Sequence, residues 1–177
     1  VNAHVTNELP LSGIRVVDLT RVLAGPFCTM LLGDMGAEVI KIEDPDHGDD
    51  TRDWAPFVEG WSTYYLGVNR NKKSVAIDLK SDEGAALLVD LIGSADVLVE
   101  NFRPGALARL GFGAERARAL NPRLIYCSIS GYGATDIEIG MAGESPVSIA
   151  VRRLARARPD IGRTLFGTDS RLPMVFQ

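Results

Sequence analysis

The chain has 177 residues, 46% of them hydrophobic and 24% charged, which is the size and composition of one globular domain with a real core. A formal net charge of -4 and a pI near 5.2 exclude a general nucleic-acid binder, whose footprint is basic. No apolar run approaches the roughly 18 residues of a membrane span.

The first ten residues, VNAHVTNELP, are polar and lack a signal peptide's apolar centre. They are read as an N-terminal extension, 1–10, of a cytoplasmic protein. Residues 11–20 read LSGIRVVDLT, and Ile14, Val16, Val17 and Leu19 after a Ser-Gly turn predict a buried first strand. Residues 21–25 form a turn, and Pro26 is placed to open a helix. Phe27, Met30, Leu31 and Met35 fall at helical spacing, with Gly36 as the stop. AEVIKIE at 37–43 predicts a second strand and completes a βαβ unit. Residues 44–60, with Pro45, Pro56, several Asp and an exposed-looking Trp54, are read as a loop without regular structure, and STYYLGV at 62–68 is ambiguous.

A second strand-helix-strand unit spans 68–105. Asn69, Arg70, Asn71, Lys72 and Lys73 precede its first strand, read at 74–79, and Lys80 and Ser81 follow it. Ser81 is a helix cap with Asp82 and Glu83 in the first turn, where carboxylates suit the positive end of the dipole. Leu87, Leu88, Leu91 and Ile92 supply the apolar face, and Gly93-Ser94 close the helix. DVLVE at 96–100 is the next strand, followed by Asn101-Phe102-Arg103. Short helices through ALARL and AERARAL lead to a strand, RLIYCSIS at 123–130, that ends in Gly131-Tyr132-Gly133. Alternation from 14 to about 130 predicts a doubly wound, mostly parallel α/β sheet. Ligands of such sheets lie outside the carboxyl ends of the strands. The turns at 21–25, 44 onward, 80–81, 101–103 and 131–133 are therefore expected to share one rim.

That rim carries neither GxGxxG after the first strand nor GxxxxGK[ST], so a standard dinucleotide or P-loop reading is weak. Lys72, Lys73, Lys80, Arg103 and Arg109 are candidates for a polyanionic ligand, although lysines at strand ends are more often simply solvated. Lys80 stands out because the next residue opens a helix N-terminus. Phe102 is either core or a stacking platform. Cys28 and Cys127 lie far apart in apolar stretches and read as small hydrophobes. No CxxC or Cys/His cluster exists, so no metal site is expected, and His4 and His47 offer little for His-based catalysis.

Five blocks carry a resemblance: LSGIRVVDLTRVLAGPFCTMLLGDMGAEVIKIE, GDDTRDW, VNRNKKSVAIDLKSDEG, ADVLVENFRPGALARLGFG and NPRLIYCSISGYG. In order and spacing, over residues 9–135, they resemble the amino-terminal part of the family III CoA-transferases, the formyl-CoA transferase and carnitine CoA-transferase group. The resemblance implies a Rossmann-like large domain that binds coenzyme A, here 11–136, together with a small domain and an interlocked homodimer in a longer full-length protein. It implies CoA contacts at Val22 and Leu23 before AGP, Ile77 and Lys80 in AIDLK, Asn101 and Phe102 in ENF, and Arg109 in ALARLG. A family arginine is replaced by Asp44.

The implied chemistry is transfer of CoA from an acyl-CoA to a carboxylic acid acceptor, with no metal. An aspartate attacks the thioester and forms a mixed anhydride, a task for a desolvated, well-positioned carboxylate. Asp169, in FGTDS, is the candidate nucleophile, and a loop Asp that caps a turn is the plain alternative. Residues 137–177 carry six Arg and no Lys, with a helix expected through SIAVRRLARA. They read as an atypical Arg-rich tail, truncated, diverged or unrelated to the family. Two further readings stand beside the transferase. An α-methylacyl-CoA racemase pairs a His with an Asp, and no His follows residue 47. The other is a catalytically inactive CoA-binding fragment.

Overall fold

The structure is a computed structural model that describes residues 9–130. The expected N-terminal extension, the Gly131-Tyr132-Gly133 turn, the Arg-rich tail and Asp169 lie outside the described residues.

The chain runs β1 (Arg15–Asp18), α1 (Ala24–Asp34), β2 (Glu38–Glu43), a short 3-10 turn (Asp50–Asp53), β3 (Phe57–Val58), β4 (Trp61–Ser62) and α2 (Thr63–Asn69). It continues through β5 (Lys72–Ala76), α3 (Asp82–Ser94), β6 (Val97–Glu100), α4 (Ala106–Arg109), α5 (Ala114–Leu120) and β7 (Ile125–Ser128). Five of the strands form a sheet in the order β5-β2-β1-β6-β7, and every pairing in it is parallel. The chain first builds outward from β1 through β2 to β5, then returns to the opposite side of β1 to lay down β6 and β7. The direction reverses between β1 and β6, the topological switch point at which doubly wound sheets bind ligands.

Two apolar layers sandwich this sheet. Val16 of β1 joins Val39, Val97, Val99 and Cys127 against Cys28 and Leu32 of α1. Val17, one residue on, faces the other way with Leu98 and Tyr126, toward Leu88 and Ile92 of α3 and Ala117 of α5. This is the period-2 alternation of strands buried on both faces. Leu88 and Ile92 are fully buried, and each such side chain contributes about 1.5–3 kcal/mol of transfer free energy. Both cysteines are buried, and burial pushes the Cys28 thiol up to about 12, as befits core packing rather than reactivity.

The sequence-based expectations depart from the structure in four places. α1 begins at Ala24 rather than at Pro26, so the turn before it is two residues shorter than read. Residues 44–60 are not irregular throughout, because they contain the 3-10 turn and β3, which pairs antiparallel with β4. Glu59 and Gly60 connect that pair with positive φ at both positions, the geometry of a tight two-residue hairpin. β5 begins at Lys72 rather than 74, so both lysines read as preceding the strand are inside it. Leu87 is 52% exposed and does not belong to the buried face of α3. Other local signals hold. Gly36, with φ 101, lies just past the end of α1, and the Ser81 hydroxyl accepts from the Gly84 N–H at 3.0 Å as the cap of α3.

Candidate functional site

Two adjoining clefts open at the carboxyl ends of the strands, and Phe102 forms part of the wall of both. The first, of about 230 Å³, lies between the turns after β1, β2 and β5 and is lined by Arg21, Asp44, Ile77 and Lys80, with Leu19 and Ile42 at its base. The second, of about 450 Å³, is formed by Ala24, the Asn101–Pro104 turn and Ile129 and Ser130 just past β7. The shared rim expected from the alternation of elements is therefore present at four turns, and the fifth, 131–133, lies outside the described residues.

Four of the residues predicted to hold CoA line these clefts. Ile77 is 5% exposed and forms an apolar wall. Lys80 is exposed beside it, its backbone N–H donating to Asp78 Oδ1 at 2.9 Å. Phe102 packs against the α3 layer, and the Arg21 guanidinium lies 5.5 Å from its ring centroid. Asn101 closes the switch point. Its Oδ1 accepts the Arg21 N–H at 2.9 Å and its Nδ2 donates to the Arg21 carbonyl at 2.8 Å. One side chain thus continues the β1–β6 ladder beyond the point where the strands part. Val22 and Leu23 form the turn between the clefts without lining either. Arg109 is exposed at the end of α4 and lines neither cleft.

The turn from Thr20 to Leu23 is held by buried polar groups that the sequence reading did not single out. Asp18 accepts the Thr20 N–H and hydroxyl on one oxygen, and the Thr29 hydroxyl and the Lys72 ammonium on the other. Gly25 is required beneath it, since a Cβ there would overlap the Thr20 side chain. Lys41, fully buried on β2, donates to the Thr20 carbonyl and to Asp49 Oδ2, both at 2.8 Å. The other Asp49 oxygen accepts Thr51 N–H, Thr51 Oγ1–H and, at 3.3 Å, the Val22 N–H. Val22 has φ 72, a left-handed conformation that costs a β-branched residue about 1–2 kcal/mol. A lysine inside the apolar strand AEVIKIE and the Asp of GDDTRDW were the available signals.

Glu43, at the carboxyl end of β2, closes the floor of the first cleft. Burial alone raises its pKa. Hydrogen bonds from Arg52, Ser74, Tyr65 and the Asp49 N–H outweigh that and hold the carboxyl at about 2. It is a carboxylate already committed to its partners. Asp44 is exposed, and the N–H groups of Asp46 and His47 hold its carboxyl below the usual range. The first cleft therefore has two cations, Arg21 and Lys80, and three carboxylates, Asp44, Asp78 and the already paired Glu43, around apolar walls. Such a surface fits an elongated ligand with both a planar part and anionic groups. Among the described residues no group of three or more His, Cys, Asp or Glu is placed to hold a metal ion.

The chain has relatives among known proteins. The model of CoA-transferase family III matches residues 11–150. The chain is 52% identical over 153 residues to human succinyl-CoA:glutarate CoA-transferase, covering 86% of this chain and 35% of that protein. It is 52% identical over 126 residues to acetyl-CoA:oxalate CoA-transferase of Acetobacter aceti, covering 71% of this chain and 32% of that one. Among solved structures, a CAIB/BAIF family protein from Brucella suis superposes with a TM-score of 0.72 at 35% identity, covering 90% of this chain and 51% of the other. The chain thus spans about a third of the length of the curated relatives it matches.

Proposed function

This chain belongs to CoA-transferase family III, and on that premise we propose that the protein moves CoA between an acyl-CoA thioester and a carboxylic acid, with the paired clefts holding the CoA moiety. The supporting observation is the position of the clefts. They flank the switch point of a parallel sheet, share Phe102 and carry cations beside apolar walls. In this reading Ile77 and Phe102 give apolar and stacking surface, Lys80 and Arg21 meet phosphate oxygens, and the Val22–Leu23 backbone approaches the ligand across the turn. Arg109, outside both clefts, is proposed as a peripheral contact with the anionic end of the ligand.

The acceptor class follows from the relatives, which are named for succinyl-CoA and glutarate or for acetyl-CoA and oxalate. A small dicarboxylate is proposed as acceptor. In the first step a carboxylate oxygen attacks the thioester carbonyl, the CoA thiolate leaves and a mixed anhydride remains. Thiolate attack on that anhydride releases the donor acid and leaves CoA on the enzyme carboxyl, and the acceptor acid then enters by the reverse sequence. Asp169 is the proposed nucleophile on its sequence context. An interlocked homodimer is proposed from the family resemblance, and light scattering of the full-length protein tests it.

The full-length protein, given succinyl-CoA with glutarate or oxalate, is expected to form the corresponding acceptor thioester, read by chromatography of the CoA esters. Absence of transfer to any dicarboxylate would refute the acceptor class. Turnover that survives Asp169→Ala would remove Asp169 from the mechanism. A second reading, a chain that binds CoA without turnover, is favoured for the 177 residues alone by their coverage of 35% of the human relative. Titration of this chain with CoA, beside the transfer assay, separates the two.

A further inference from the structure

We propose that the buried Lys41–Asp49 pair is a positioning device that holds Val22, and with it the β1–α1 turn, in the left-handed shape presented to the acyl-CoA; this rests on the reading of that turn as part of the CoA site.

Lys41 and Asp49 both have side chains with no exposed surface, and their charged atoms are 2.8 Å apart. A buried ion pair is not explained by stability, because an apolar pair of similar volume is commonly as stable or more so. What an apolar pair cannot do is hydrogen-bond the backbone. Lys41 takes the Thr20 carbonyl at 2.8 Å, and Asp49 takes the Val22 N–H at 3.3 Å. The pair thus grips the turn on both sides of Arg21, whose own N–H and carbonyl are held by Asn101. Between these grips Val22 sits at φ 72. A β-branched residue keeps such a conformation only where its surroundings over-determine it. The surroundings here are two buried charges brought from β2 and from the loop that follows it. Neither Lys41 nor Asp49 lines either of the two described clefts, so their effect on substrate there runs through the turn.

The test uses the full-length protein. Lys41→Met combined with Asp49→Leu removes both charges together, leaves no unpaired buried charge and takes away the oxygen that accepts the Val22 N–H. The expected result is a soluble protein whose KM for the acyl-CoA rises about ten-fold while kcat stays within about three-fold. Adding Val22→Gly, which adopts positive φ without steric cost, is expected to recover most of that loss. A merely structural pair would lower the melting temperature and leave KM unmoved. That result, or a KM that Val22→Gly fails to restore, overturns the proposal. If the double variant is insoluble, Asp49→Glu keeps the partner of Lys41 but moves the carboxylate off the Val22 N–H, and it must raise KM in the same way.

Hydrogen exchange of the Val22 amide, measured without ligand, reads the grip directly. Faster exchange in the variant is expected, and unchanged protection overturns the device. Wild-type protein that fails to bind CoA by calorimetry would instead refute the reading of the site, while the exchange measurement still decides whether the pair holds the turn.

Discussion

Glu43 shows how one residue's environment becomes a pH dependence. Its carboxyl is held at about 2 in the folded protein, against 4.5 ordinarily. The folded pKa is depressed, so the unfolded chain binds more protons in that window, and stability falls as pH drops. The contribution is fully present above about pH 4.5 and is lost as pH falls through about 2. By the linkage relation it is on the order of 3 kcal/mol. Denaturant melts of wild type and Glu43→Gln across pH 2 to 7 are expected to differ by several kcal/mol near neutrality and to converge at the acid end. A gap that persists at pH 2 would refute the assignment. Asn101 carries a second prediction. With both of its amide atoms on the Arg21 backbone, Asn101→Asp keeps the acceptor for the Arg21 N–H but sets an oxygen against the Arg21 carbonyl. It should weaken CoA binding about ten-fold by calorimetry, with little change in melting temperature, since Asn101 is not deeply buried.

Among elements, the turn from β5 into α3 places Ile77 and Lys80, and two small residues hold it. The Ser81 hydroxyl caps the helix by accepting the Gly84 N–H. A Cβ at Gly84 would run into the Asp78 carbonyl, which is backbone and has nowhere to go. Ser81→Ala is expected to cost about 1 kcal/mol. Gly84→Ala is expected to cost more, at or beyond the upper end of about 1–3 kcal/mol, and to weaken CoA binding as well, because the turn must move. Thermal melts and a CoA titration of both variants check the order. The cap was legible in the sequence because it is local: a Ser followed by Asp-Glu and an apolar period. The start of β5 was not. Lys72 and Lys73 look like solvated flanks, yet the Lys72 ammonium reaches across to Asp18 and the α1 carbonyl of Pro26. Hydropathy has no means of recording a lysine whose charge is met inside the fold. The β3–β4 hairpin was missed for the opposite reason. Two-residue strands with exposed Phe57, Val58 and Trp61 carry too little alternation to register.

For the molecule as a whole, a parallel sheet with helices on both faces followed from the alternation of strands and helices, and so did the rim on which the clefts lie. The polar framework that shapes the rim did not, because it joins residues far apart in sequence. Lys72 is its broadest connection. From β5 its ammonium contacts Asp18 of β1, the Pro26 carbonyl of α1 and Asn69 Oδ1 of α2, so that one charge ties four elements together. Its side chain is 2% exposed and that of Asp18 is fully buried. Burial pulls the Lys72 pKa down, and Asp18 opposes it. Removing the lysine alone strands the Asp18 charge. Lys72→Met is therefore expected to cost about 3–5 kcal/mol, whereas breaking the outer Arg70–Asp34 pair, whose arginine is 52% exposed, should cost within about 1 kcal/mol. Adding Asp18→Asn to Lys72→Met removes the stranded charge and should recover part of the loss, a coupling that a double-mutant cycle measures directly. If Lys72→Met and Arg70→Ala proved equally mild in denaturant melts, the buried charge could not be what binds β5 and the two helices to β1. The position of Lys80 relative to Arg21 would then have to rest on apolar packing alone.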